Sequence, residues 1–347
     1  MADRLVYTRD ELLRSHDYAR PQEEAGRRLH GGFTADGRYV PPRCLVREPA
    51  IRAWTDALRA RGGDWLAADA SLLEGIRYPN PAQMKLLLQE GLGQSFWNTL
   101  TITGHIEARG RVLAEMTFPE FGDAVVEDVA EFAVGHLNRG LLEAHGLDEG
   151  GEPERGIGGH DVMWFALRDL AFGADAHPEP EVPENIARPE EAIALHPDVP
   201  EGIQRTIYFL LNLLLIEFRA ELGFRLSQTL LRDPELFPER RAGAERAAEI
   251  VGRIRTDEEI HVRSLRLYLG EIRQLHFRTA SGGTVPGAEL VDPLWKDIVH
   301  WATVERPRLA AAQERQMFSE RILAAEDGER ILATFLELAD PDEEAAA

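Results

Sequence analysis

The sequence predicts an all-α protein: a four-helix bundle with a long crossover and additional flanking helices. Three observations lead there. Four segments, 94–117, 124–145, 202–231 and 240–277, carry apolar residues at helical spacing. Short breaker runs at 118–122 and 233–238 make each successive pair antiparallel, whereas the acidic, proline-rich stretch 173–200 is long enough to cross between pairs. Carboxylates and a histidine also interrupt the apolar stripes of the long helices, which points to a site inside the bundle.

Bulk properties set the frame. A chain of 347 residues with 44% hydrophobic and 29% charged residues buries a large core. A net charge of -21 argues against nucleic acid or an anionic membrane as the partner. A single cysteine, Cys44, excludes an internal disulfide and a thiolate cluster. The start lacks a signal-peptide pattern, and the longest apolar run, 207–218, contains Asn212 and Glu217 and is too short to span a bilayer. A cytoplasmic location is expected.

Along the chain, 1–93 reads as an N-terminal helical extension, 94–278 as the bundle and 279–347 as C-terminal helices with an acidic tail. Residues 1–50 are mixed, with a Gly/Pro-rich patch at 31–42 and no useful strand alternation; short helices follow near 50–62 and 81–92. The first long helix, 94–117, carries Glu107 on the face of Phe96, Leu100 and Thr103. The second, 124–145, is read as ending at Gly146, before a glycine-rich loop. A shorter helix spans 160–172. The third, 202–231, is apolar nearly all round and so central. The fourth, 240–277, leads through a loop at 281–287 to weaker helices near 292–304 and 308–337. The tail after Asp340 is expected to be disordered.

The polar residues in these stripes carry the chemistry. On the fourth helix the apolar face runs Ala247, Val251, Ile254, Glu258, His261, Leu265, Tyr268, so a carboxylate and an imidazole three residues apart occupy core positions. On the third, Glu217 shares a face with Leu210, Leu214 and Phe224. Burying a lone carboxylate costs several kcal/mol, so a cation, a proton or a buried arginine must compensate. On the second, His136 and Glu143 flank the apolar stripe on one side. At about 1.5 Å rise per residue, Glu107 and His136 lie at similar height, as do Glu217 and Glu258. His160, opening the helix at 160–172, is a further candidate for the second-helix position.

With these residues the chain resembles the ferritin-like di-metal carboxylate superfamily, whose pattern is one Glu from each of two helices and Glu-x-x-His from each of the other two. Glu217, Glu258 and His261 match it, and Glu107 suits the first helix. The second helix departs from it, because it has no Glu-x-x-His. The resemblance covers roughly 94–278 and implies metal ligation by Glu107, His136, Glu143, Glu217, Glu258 and His261. It implies iron, as two ions, or manganese, with dioxygen as co-substrate and oxidation of a small organic molecule; the departure on the second helix leaves a di-nuclear site with altered ligands, a mono-nuclear site and a metal-free one open. The partners it brings into view are that small-molecule substrate, an electron-donor protein and a second copy of the chain in a homodimer. The alternatives are iron storage and a non-enzymatic helical protein with a buried polar network.

Overall fold

The computed structural model describes residues 4–75, 78–188 and 195–339. The protein is mostly helical, with few short strands. A short α1 (Arg9–Leu12) opens the chain, and two small hairpins follow: β1 (Gln22–Glu24) with β2 (Arg27–Leu29), and β3 (Gly32–Phe33) with β4 (Tyr39–Val40). These hairpins correct the strand-free reading of the N-terminal segment. Then come α2 (Arg47–Ala60), α3 (Pro81–Gln89), α4 (Gln94–Gly110), α5 (Phe121–Ala124), α6 (Leu141–Gly150), α7 (His160–Phe172), α8 (Glu201–Arg232) and α9 (Arg241–Gln274). A third hairpin, β5 (His276–Arg278) with β6 (Thr284–Pro286), leads into α10 (Gly287–His300), α11 (Arg306–Leu323) and α12 (Gly328–Glu337). The acidic tail expected after Asp340 and residues 189–194 of the crossover lie outside the described residues.

The third and fourth long helices form where the periodicity places them. α8 and α9 run antiparallel along each other: Gln228 Nε2 donates to the Ala248 carbonyl at 3.0 Å, and Arg255 reaches Glu221 at 2.9 Å. The first helix is shorter than its apolar pattern and passes into a 3-10 turn at Arg111–Ala114.

The second helix is the main correction. Residues 124–145 do not form one helix. Val126 N–H donates to the His276 carbonyl, Glu127 accepts from His276 N–H, and both oxygens of Glu271 accept the N–H groups of Ala133 and Val134. These long-range bonds from the end of α9 and from β5 replace the intrahelical ladder, and Ala133–Arg139 winds as a 3-10 helix.

The position beside α4 is filled instead by α6 and α7 in line. Gly146 and Glu149 of α6 lie against Ala114 and Gly110, while His160 and Arg168 of α7 lie against Glu107 and Thr101. Both segments therefore run antiparallel to α4, as a single helix interrupted at 151–159. The interruption pinches shut at two glycines. Gly151 has φ +64°, and a Cβ on Gly159 would meet Gly151 N at 2.4 Å and the Asp148 carbonyl at 2.6 Å.

Two apolar clusters fill the interior. One includes Leu210–Phe218 of α8 and Ile260–Ile272 of α9; the other includes Phe224–Leu231 and Ala244–Ile254 of the same helices. Between them lies a polar layer, and the break between α6 and α7 falls at that level.

Candidate metal centre

The polar layer is built from five helices. On α9, Glu258 and His261 sit one turn apart on one face, with His261 Nδ1 2.8 Å from Glu258 Oε2. α8 contributes Glu217, and α4 contributes Glu107. The last turns of α6 supply His145 and Glu149, four residues apart and therefore on one face. His160 is the first residue of α7, so the chain re-enters the helix as it delivers the imidazole. None of these seven side chains belongs to a residue more than 8% exposed, so bulk water does not solvate them.

The seven divide into two halves. His145, Glu149, Glu217 and His261 bring ligand atoms within 4.8 Å of one another, and so do Glu107, Glu149, His160 and Glu258. Two carboxylates face both halves. Glu149 Oε1 lies 3.2 Å from His145 Nε2 and 3.2 Å from His261 Nδ1, while its Oε2 lies 3.5 Å from His160 Nδ1. Glu258 turns Oε2 to His261 and Oε1 to His160 Nδ1, at 3.1 Å. Glu217 is terminal on the first half, 3.0 Å from His145 Nε2; Glu107 is terminal on the second, 3.9 Å from His160 Nδ1.

Electrostatics show what the site demands. Burial, then repulsion from Glu149, pushes Glu107 well above the usual carboxylate range. Burial, then repulsion from Glu258, does the same to Glu217. Burial opposes ionisation of Glu258, but the charges of His261 and His160 outweigh it and bring its pKa to about 2. Glu149 also stays ionised against burial, through its hydrogen bond with Glu107 and the charge of His160. Against the same burial, the carboxylates raise His160 and His261 well above the ordinary imidazole range. Protons on Glu107 and Glu217, and one extra proton on each of His160 and His261, thus neutralise four buried carboxylates. Two divalent cations carry the same charge as those four protons.

The donor set fits metal ions on a second ground. His145 Nε2 and His160 Nδ1 are buried and make no hydrogen bond, although carboxylate oxygens surround both. Buried polar atoms normally have partners. Ring nitrogens left without one, aimed among carboxylates, match the geometry of ligands. Carboxylate oxygens with imidazole nitrogens and no thiolate suit iron or manganese.

The structure brings together four of the residues expected from sequence: Glu107, Glu217, Glu258 and His261. It places His136 and Glu143 elsewhere. His136 is buried with both nitrogens engaged, Nδ1 donating to the Phe132 carbonyl at 2.8 Å and Nε2 accepting from Tyr7 N–H at 3.1 Å. Glu143 pairs with Arg9. His160, a secondary candidate by sequence, is inside the cluster. His145 and Glu149 were missed because Gly146 was read as a helix end, whereas α6 continues to Gly150. Their spacing was the readable signal. The structure also sets a tyrosine near the site that sequence did not place: Tyr39 OH donates to Asp257, which touches His160.

No helix among the described residues is long and apolar enough to cross a membrane. Comparison with known proteins found no matching family model, no similar curated protein and no similar solved structure.

Proposed function

We propose that this protein is a metal-dependent oxidoreductase of ferritin-like architecture, activating dioxygen at a non-haem di-iron or iron/manganese centre to oxidise a small organic substrate. One observation carries the reading: Glu149 and Glu258 each turn one oxygen to either half of a buried cluster of four glutamates and three histidines.

In this reading His145, His261 and Glu217 would hold one ion and Glu107 and His160 the other, with Glu149 and Glu258 within reach of both. Iron or manganese held there in its reduced state would supply electrons to dioxygen, the chemistry that oxidation of an organic substrate requires. The chain's own residues do the rest. The two apolar clusters above and below the layer exclude water from it. Helices α2, α3 and α10 to α12 add buried side chains to the two apolar clusters, more helix than an ion store requires.

The test is metal analysis of protein produced with iron and manganese supplied, alongside Glu258→Ala and Glu217→Ala. About two ions per chain are expected in the unmutated protein, and loss in both variants. Unchanged metal content in both would sink the reading. Dioxygen uptake by the ferrous protein, without assembly into a large cage on gel filtration, separates an oxidase or oxygenase from iron storage.

A further inference from the structure

Both histidines with engaged outer nitrogens are backed by an aspartate, and both aspartates are held from one short stretch of chain. His160 Nε2 donates to Asp257 Oδ2 at 3.2 Å; that oxygen also accepts from Tyr39 OH at 3.0 Å and His30 Nε2 at 3.1 Å. His261 Nε2 donates to Asp148 Oδ2 at 3.1 Å. Arg47 donates to the same oxygen at 2.6 Å, and Arg43 to Asp148 Oδ1 at 3.0 and 2.6 Å. His30, Tyr39, Arg43 and Arg47 all lie within residues 30–47, ahead of the helices that carry the ligands.

Resting on the metal reading above, we propose that the 30–47 segment is an outer clamp of the metal centre. By fixing Asp257 and Asp148, it keeps His160 and His261 protonated at Nε2 and leaves Nδ1 of each to bind an ion. His30, Tyr39, Arg43 and Arg47 are then positioning residues.

The chemistry requires such a device. A neutral imidazole carries its proton on either nitrogen, and the partner of the outer nitrogen decides which one is free to ligate. Both aspartates are fully buried, and among the described residues these donors satisfy their charge. The segment is also tied to the ligand-bearing chain. His30 N–H donates to the Gly158 carbonyl, Gly158 N–H to the Arg28 carbonyl, and Arg253 on α9 to the His30 carbonyl at 2.8 Å. Gly158 lies two residues before His160. Arg43 itself holds a left-handed backbone, φ +51°, which a non-glycine residue keeps only where its surroundings fix it. Its two bonds to Asp148 are such a fixing contact. The two grips differ in charge: two guanidinium groups on Asp148, a phenol and an imidazole on Asp257.

The test uses Co(II) as probe, with affinity read by chelator competition and ligand field by visible absorption, on the full chain and on Asp257→Asn and Tyr39→Phe. An amide at position 257 can keep its carbonyl oxygen on the three donors, but it lacks the negative charge that holds the proton on His160 Nε2. The expected result for Asp257→Asn is a roughly 10- to 100-fold loss of affinity for one of the two ions, with a changed spectrum. Tyr39→Phe, which leaves His30 on Asp257, should produce a smaller loss on the same ion without lowering the melting temperature of the metal-free protein by more than a few degrees. Unmutated protein that binds two Co(II) ions alongside variants that bind them identically would overturn the clamp and leave the metal centre standing. Equal weakening of both ions in step with lost stability would also overturn it, as a merely structural role. No Co(II) binding by the unmutated protein would overturn the clamp and the metal centre together.

Discussion

His145 and His261 stack face to face, ring centroids 3.7 Å apart and planes 15° from parallel, and each aims a nitrogen at Glu149 Oε1 from 3.2 Å. Two imidazoles from different helices thereby converge on one carboxylate oxygen. Burial and the charge of His261 push the His145 pKa down.

That convergence separates true members of the cluster from neighbours that sequence had favoured. His145→Ala and Glu149→Gln are expected to lower bound metal, whereas His136→Ala and Glu143→Ala leave it unchanged. His136→Ala instead removes the bonds to Tyr7 N–H and the Phe132 carbonyl and should cost about 1–3 kcal/mol of stability. Elemental analysis and urea unfolding of the four variants check both halves of the expectation.

The two halves of the cluster are unequal. Glu149 and Glu258 each face both halves, so the half with His145, His261 and Glu217 gathers five donor groups and the half with Glu107 and His160 gathers four. Metal titration of the ion-free protein should therefore show two steps. Glu107→Ala should remove the weaker step and spare the tighter one; loss of the tighter step would refute the assignment.

The break between α6 and α7 is held by backbone contact at Gly159. Gly159→Ala would drive a methyl group into Gly151 N and the Asp148 carbonyl. A cost of about 1–3 kcal/mol is expected from overpacking. Because Asp148, Glu149 and His160 flank the contact, metal stoichiometry should fall with it, measured beside the melting temperature.

Glu271 gives a pH signature away from the centre. Burial pushes its pKa up to about 8, although two backbone N–H groups and Arg61 favour the charged form. A folded value above the ordinary 4.5 means stability that is full below that value and lost as pH rises through about 8. Glu271→Gln does not titrate. The stability advantage of the unmutated protein over this variant should therefore shrink between pH 5 and pH 9, read by urea unfolding of both. An advantage that grows with pH would reverse the sign.

Half of the site was legible because its residues break a regular pattern. Glu258 and His261 sit where α9 should carry apolar side chains, and Glu217 sits in a helix apolar nearly all round; periodicity alone exposes such residues. Glu107 followed from the same logic on α4. The other half was hidden by punctuation. Glycines at 146, 150 and 151 read as a helix end, yet α6 runs through the first of them, and His145 and Glu149 fall on its last turns. Residues 124–145 read as a helix because their apolar spacing is helical, while Glu271 and His276 capture the N–H groups such a helix would use. Local spacing does not contain that competition.

The sequence by itself determined a helical protein, the two long helices α8 and α9, and the carboxylates that must find a charge partner once those helices pack. Only the tertiary structure decided that α6 and α7 together stand beside α4, that His160 joins the cluster from across a glycine-rich gap, and that residues 30–47 return to grip Asp148 and Asp257. The physical reason is range. Helix periodicity and the cost of a buried charge act within a few turns of chain, whereas ligand sets and their supports are assembled by contacts between residues more than a hundred positions apart, such as Arg43 with Asp148 and Tyr39 with Asp257.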